Sequence, residues 1–168
     1  MRWLWSCSSM MFCLACHKGD PSPPLPCGPF TGIVQRDISG QAFGPGDGSD
    51  WAWKEDWCPE AESLFADRPT VELDTMPPDS FLAVAFPNPA EDRFMLGFLR
   101  DDPSYVDFRI VNEQFQHLYS TDSMIGDLHL VDMDSIPGPR PQNVRVYYRL
   151  VHADGTAHRG HGDVRITE

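Results

Sequence analysis

The stretch Phe81-Leu-Ala-Val-Ala-Phe-Pro-Asn-Pro-Ala-Glu-Asp-Arg-Phe-Met-Leu-Gly-Phe-Leu-Arg100 sets two apolar runs around a Pro-Asn-Pro centre. Proline fixes φ and offers no backbone donor, so two prolines flanking Asn88 hold a turn rather than extend a ladder. Phe86 before the turn and Phe94 and Leu96 after it alternate inward. Phe86, Pro87, Asn88 and Pro89 therefore read as a rigid corner joining two strands.

The same grammar continues to the C-terminus. Residues 81–86, 93–99, 105–111, 117–120, 127–133, 144–153 and 163–167 are short runs rich in β-branched and aromatic residues, separated by proline-, glycine- and aspartate-bearing punctuation. Within 105–111, Val106, Phe108 and Ile110 fall on one face and Tyr105, Asp107, Arg109 and Val111 on the other, with the first set toward the core. Asp154-Gly155 is a hairpin signal, because glycine accepts the positive φ of a tight turn. The spacing predicts a mainly β chain, an antiparallel Ig-like β-sandwich of about seven strands over residues 70–168.

Ahead of it, residues 50–69 form a tryptophan-rich segment. Pro59, followed by Glu60 and Glu62, suits the first turn of a short helix, with Asp56 as its cap. Trp51, Trp53 and Trp57, with Tyr147 and Tyr148, could present aromatic rings to a sugar or peptide, although packing on a core competes for the same side chains. Residues 16–49 are rich in proline and glycine and read as an extended, disordered tether.

Residues 1–15 combine Arg2 with a short apolar run, too short to span a bilayer, and read as a secretory signal. Cys13-Leu-Ala-Cys16 resembles a bacterial lipobox, which implies lipid attachment at Cys16. Of the five cysteines, Cys7 and Cys13 belong to the leader and Cys16 to the anchor. Cys27 and Cys58 remain, either as one disulfide or as two buried thiols.

FPNPAEDRFML with DFRIVNEQFQHLYS is similar to the start of the C-terminal domains of the type IX secretion family, over residues 81 to about 120. That resemblance implies a small β-sandwich and a role in sorting or surface attachment. The later glycine and tyrosine signature of that family is replaced here by residues 144–166. With the lipobox and the tryptophan segment, the chain looks more like small envelope lipoproteins of Gram-negative bacteria that use that pathway.

Chemistry is sparse. His158, His161, Asp163 and His152 are the best metal candidates, but no HExxH or CxxC companion supplies further ligands, so no metal and no cofactor is expected. No GxSxG elbow is present. With 13 basic against 25 acidic residues, a net charge of -12 disfavours nucleic acid as a partner. The expectation is a non-catalytic, exported protein of the outer membrane or cell surface, held to the membrane by its lipid. Its partner would be an envelope protein or a glycan, with sorting and metal binding as alternatives.

Overall fold

Around the Phe86–Pro89 corner the two apolar runs pair antiparallel, Phe81 facing Arg100 and Phe86 facing Met95. The computed structural model describes residues 27–30, 32–53, 55–78, 80–100 and 104–167. Among these the order is β1 (Gln35–Arg36), β2 (Ala42–Phe43), α1 (Pro59–Ser63), β3 (Glu72–Leu73), β4 (Phe81–Phe86), β5 (Arg93–Arg100), β6 (Ser104–Asn112), β7 (His117–Met124), β8 (Leu128–Asp132), β9 (Gln142–His152) and β10 (Thr156–Ile166). The seven expected strands are β4 to β10. β1, β2 and β3 are additional two-residue strands.

Two sheets form the sandwich, one ordered β3-β10-β9-β6-β7 and one β4-β5-β8. All their pairings are antiparallel except that of β3 with β10. Between the sheets lie Ala83, Ala85, Phe94, Leu96, Phe98 and Val131 from the smaller one. Val106, Phe108, Ile110, Val146, Tyr148, Leu150 and Val164 face them from the larger. The inward set expected for β6 is the set found. Among the described residues no helix is long and apolar enough to cross a membrane, which says nothing of strand-built spans.

β10 begins earlier than its sequence suggests. Gly160 and Gly162 lie in an unbroken register with Tyr148 and Val146. Their missing side chains make room: a Cβ on Gly162 would collide with the Trp51 indole, and one on Gly160 with the Ala52 carbonyl and the Tyr148 ring. The turn before β10 is as expected, with Gly155 at φ 87° and Asp154 Oδ1 accepting from the Thr156 amide.

The stretch read as a tether divides. Residues 16–26, like the leader, lie outside the described residues. From Cys27 onward the chain is laid against the sandwich. β1 and β2 pair, and the Arg36 and Asn88 backbones exchange hydrogen bonds of 2.8 Å in both directions. Composition missed this because the attachment is polar: Arg145 donates to the carbonyls of Cys27 and Pro29, each at 3.0 Å. α1 is capped by Cys58, whose sulfur accepts from the Ala61 amide, rather than by Asp56. Pro59 at the first helical position makes its immediate predecessor the cap.

Candidate functional site

The five-stranded sheet has a second face, and it is charged. Strand alternation puts Asp107 and Arg109 of β6, Arg145, Tyr147 and Arg149 of β9, and Arg159, His161 and Asp163 of β10 on that side. Register aligns them in rows: Asp107 with Arg149 and Arg159, Arg109 with Tyr147 and His161, and Arg145 with Asp163. A solvated face is the usual place for such residues, yet Asp107, Arg109, Arg145, Arg149, His161 and Asp163 are all buried. Residues 27–30 and 55–69 cover them, packing Phe30, Trp57, Ala61, Leu64 and Phe65 around Val111 and Tyr147.

Burial of this many charges demands partners, and the rows supply them. Asp107 accepts from Arg149 Nε at 2.9 Å, from Arg68 Nε and Nη2 at 3.2 Å, and from the Ser123 amide at 2.7 Å. Arg145 clasps Asp163 through Nε and Nη2 at 2.6 and 2.8 Å. Arg109 reaches Asp122 at 2.6 Å and Asp67 at 3.2 Å. Arg159 pairs with Glu62 and donates to the Glu55 carbonyl at 2.8 Å. A disulfide between Cys27 and Cys58, with Cα atoms 5.4 Å apart, ties the two ends of the cover together.

One corner of this face gathers Asp50, His161 and Asp163 with ligand atoms within 4.8 Å of one another. Those atoms are engaged. Both Asp163 oxygens take Arg145, the Asp50 oxygens accept from the Val34 and Asp163 amides at 3.2 and 3.1 Å, and His161 Nδ1 is 2.5 Å from Glu55 Oε2. Burial, then the Asp163 charge, pushes the Asp50 carboxyl up to about 7. Burial likewise raises Asp163, against the pull of Arg145. The corner is a polar network that satisfies itself.

His158 and His161 are not one ligand set. Three residues apart on a strand, they face opposite sides of the sheet. His161 lies beside Tyr147 on the charged side. His158 meets His152 and the edge of Trp53 on the other.

The aromatic residues do not form an open platform. Trp51 stacks on Tyr148 at 6.0 Å, Trp57 on Phe65 at 5.0 Å, and Tyr147 and Tyr148 are buried. Large rings near a core found more area to bury inside than a surface offers. The Phe86–Pro89 corner is a hub: Asn88, fully buried, donates to the carbonyls of Val34 and Asp163 at 3.0 and 2.8 Å and accepts from the Arg165 amide at 3.0 Å. Cys16 lies outside the described residues.

The outer face of the three-stranded sheet is the reverse of the charged one. Leu82 faces Leu99; Val84, Gly97 and Leu128 form the next row, and Phe86, Met95 and Leu130 the next. Leu82, Leu99, Leu128 and Leu130 are 47%, 53%, 56% and 47% exposed. Sequence reasoning did not single out this face. Its signal was available in β4, where Phe-Leu-Ala-Val-Ala-Phe is apolar at every position, as in a strand covered on both sides.

No family model and no curated protein matches the chain. Among solved structures, CopC from Methylosinus trichosporium OB3b is similar over 52% of this chain and 94% of that chain, with 14% identity and a TM-score of 0.36. A likeness that slight carries over no property of that protein.

Proposed function

We propose that this is an exported, lipid-anchored, non-catalytic envelope protein that docks through the outer face of β4-β5-β8, with a second copy of the same chain as its occupant. The observation that carries the reading is the open row of leucines. Half-exposed Leu82, Leu99, Leu128 and Leu130 leave a patch on the order of 300 Å², the size at which an apolar patch on a monomer tends to be functional.

Area points to a second copy. Alternation places Leu82, Leu99, Leu128 and Leu130 on this face, and Arg93 opposite Asp132 closes one end of it. Two such sheets stacked about 10 Å apart, with their rims, reach the roughly 1,000 Å² at which specific interfaces begin. The Cys27–Cys58 bond supports export, since such bonds persist in oxidising compartments. The non-catalytic reading rests on the charged face, where acids and bases are engaged with one another.

Sedimentation of the full chain extracted in detergent, with the Leu99→Glu/Leu128→Glu variant beside it, tests the docking. A dimer that becomes a monomer with an unchanged denaturation midpoint supports it. A wild-type monomer at about 100 μM overturns it, because an interface of this size should be populated there. A photocrosslinker at Leu99 that captures only a different envelope protein also overturns the second copy. Intact mass of wild type and Cys16→Ser from the membrane fraction tests the anchor, expected as an acylated species that the variant lacks.

A further inference from the structure

β9 ends and β10 begins with a pair of histidines that the charged face does not use. His152 and His158 lie on the interior side of the sheet, their ring centroids 4.9 Å apart and their planes at 82°. His158 is 3% exposed. His152 Nε2 and His158 Nδ1 are both buried, and neither has a hydrogen-bond partner among the described residues. Two adjacent orphaned nitrogens in one place need an explanation, because a buried polar atom left unsatisfied is costly.

Either ring can offer its orphaned nitrogen as a lone-pair donor when its proton sits on the other nitrogen, which is how a neutral imidazole binds a metal.

Distance gives an independent check. A metal bound at about 2.0–2.1 Å from nitrogen lies roughly 3.2 Å from an imidazole centroid. Centroids 4.9 Å apart then subtend about 100° at the ion, between the square and tetrahedral angles. A cleft of about 530 Å³, lined by Tyr105, Ile125, Val151, His152 and Ala153, reaches His152, and His158 lies behind it.

We propose that His152 Nε2 and His158 Nδ1 together bind a late first-row divalent metal ion, such as Zn²⁺, with water completing the coordination. Neutral imidazoles without a thiolate suit this class of ion. The site is separate from the leucine face, so either proposal can fail alone.

The test uses the full chain, stripped with chelator and titrated with Zn²⁺ while the histidine ring nitrogens are followed by ¹⁵N NMR. One saturable equivalent should move the resonances of His158 Nδ1 and His152 Nε2. His152→Ala and His158→Ala should each lose that equivalent, and His161→Ala should keep it. Loss in His161→Ala instead would place the ion at Asp50 and Asp163 and overturn the assignment. Zn²⁺ that leaves both nitrogens unmoved, as when held by His17 or leader cysteines, also overturns it. The wild-type spectra decide even if a variant does not fold.

Discussion

The two outer faces of the sandwich invert the usual order of a half-solvated sheet. On the five-stranded sheet, arginines and aspartates occupy the outward positions and are buried. On the three-stranded sheet, leucines occupy them and are open. The difference comes from what the rest of the chain covers. A disulfide-closed arm and a short helix lie over the charged rows, offering carbonyls and carboxylates that arginine forks can grasp. An apolar cover on that face would strand the charges, and a polar cover on the leucines would gain little. Charge thus specifies where the arm lies, and the leucine face is left partly open.

Removing the acceptor at the centre of the covered face should break the contrast most severely. Asp107 is fully buried and holds both Arg68 and Arg149. Asp107→Ala leaves two guanidiniums without their carboxylate, at a cost of about 3–5 kcal/mol. Urea unfolding of wild type and variant measures it. A loss below about 1 kcal/mol would mean that the rows are solvated and the cover is loose.

Opening the cover itself comes next. Cys27 and Cys58 are 31 residues apart, so releasing the bond restores loop freedom worth about 3–4 kcal/mol in the chain-entropy model. Cys27→Ser/Cys58→Ser should lower stability by that amount and raise amide exchange in residues 27–30 and 55–69, while β4, β5 and β8 keep their protection. Uniform deprotection of both sheets would show instead that the arm is integral to the sandwich.

The two faces were unequally legible in the sequence. Six of the main strands, β4 to β9, announce themselves by runs of β-branched and aromatic residues and by the turns between them. β10 hides its first half, because His-Arg-Gly-His-Gly looks like a turn until Trp51, more than a hundred residues earlier, is known to fill the space over Gly162. The charged rows read as solvent-facing for the same reason. Period-two alternation reports which residues share a face, and it is silent on whether a distant segment covers that face. Cys27 and Cys58 could be picked out as the pair left after the leader and anchor, but their bond is a long-range fact. The tryptophans read as candidate ligand contacts because aromatic residues serve cores and binding surfaces alike. Apolarity on both sides of β4 was plain, and only topology shows that one side is left partly open.

The smallest effect is a slope. Asp50 lies under the cover among Asp163, His161, Glu55, Asp47 and Arg145, and its carboxyl is pushed up to about 7, chiefly by burial and then by Asp163. An ordinary aspartate in the unfolded chain titrates near 4. Below about pH 4 both states carry the proton, and its contribution to stability is fully present. Between about 4 and 7 the unfolded chain releases the proton while the folded one keeps it, so the contribution is lost progressively as pH rises. Asp50→Asn removes that slope. It also loses an acceptor for the Val34 amide, a cost that does not vary with pH, so the comparison is between slopes and not midpoints. Asp163 is raised in the same direction, and some slope should therefore survive in the variant. Urea midpoints from pH 4 to 8 for the two proteins decide the point. Parallel lines for wild type and Asp50→Asn would place Asp50 in contact with solvent, and the cover would then end short of this corner.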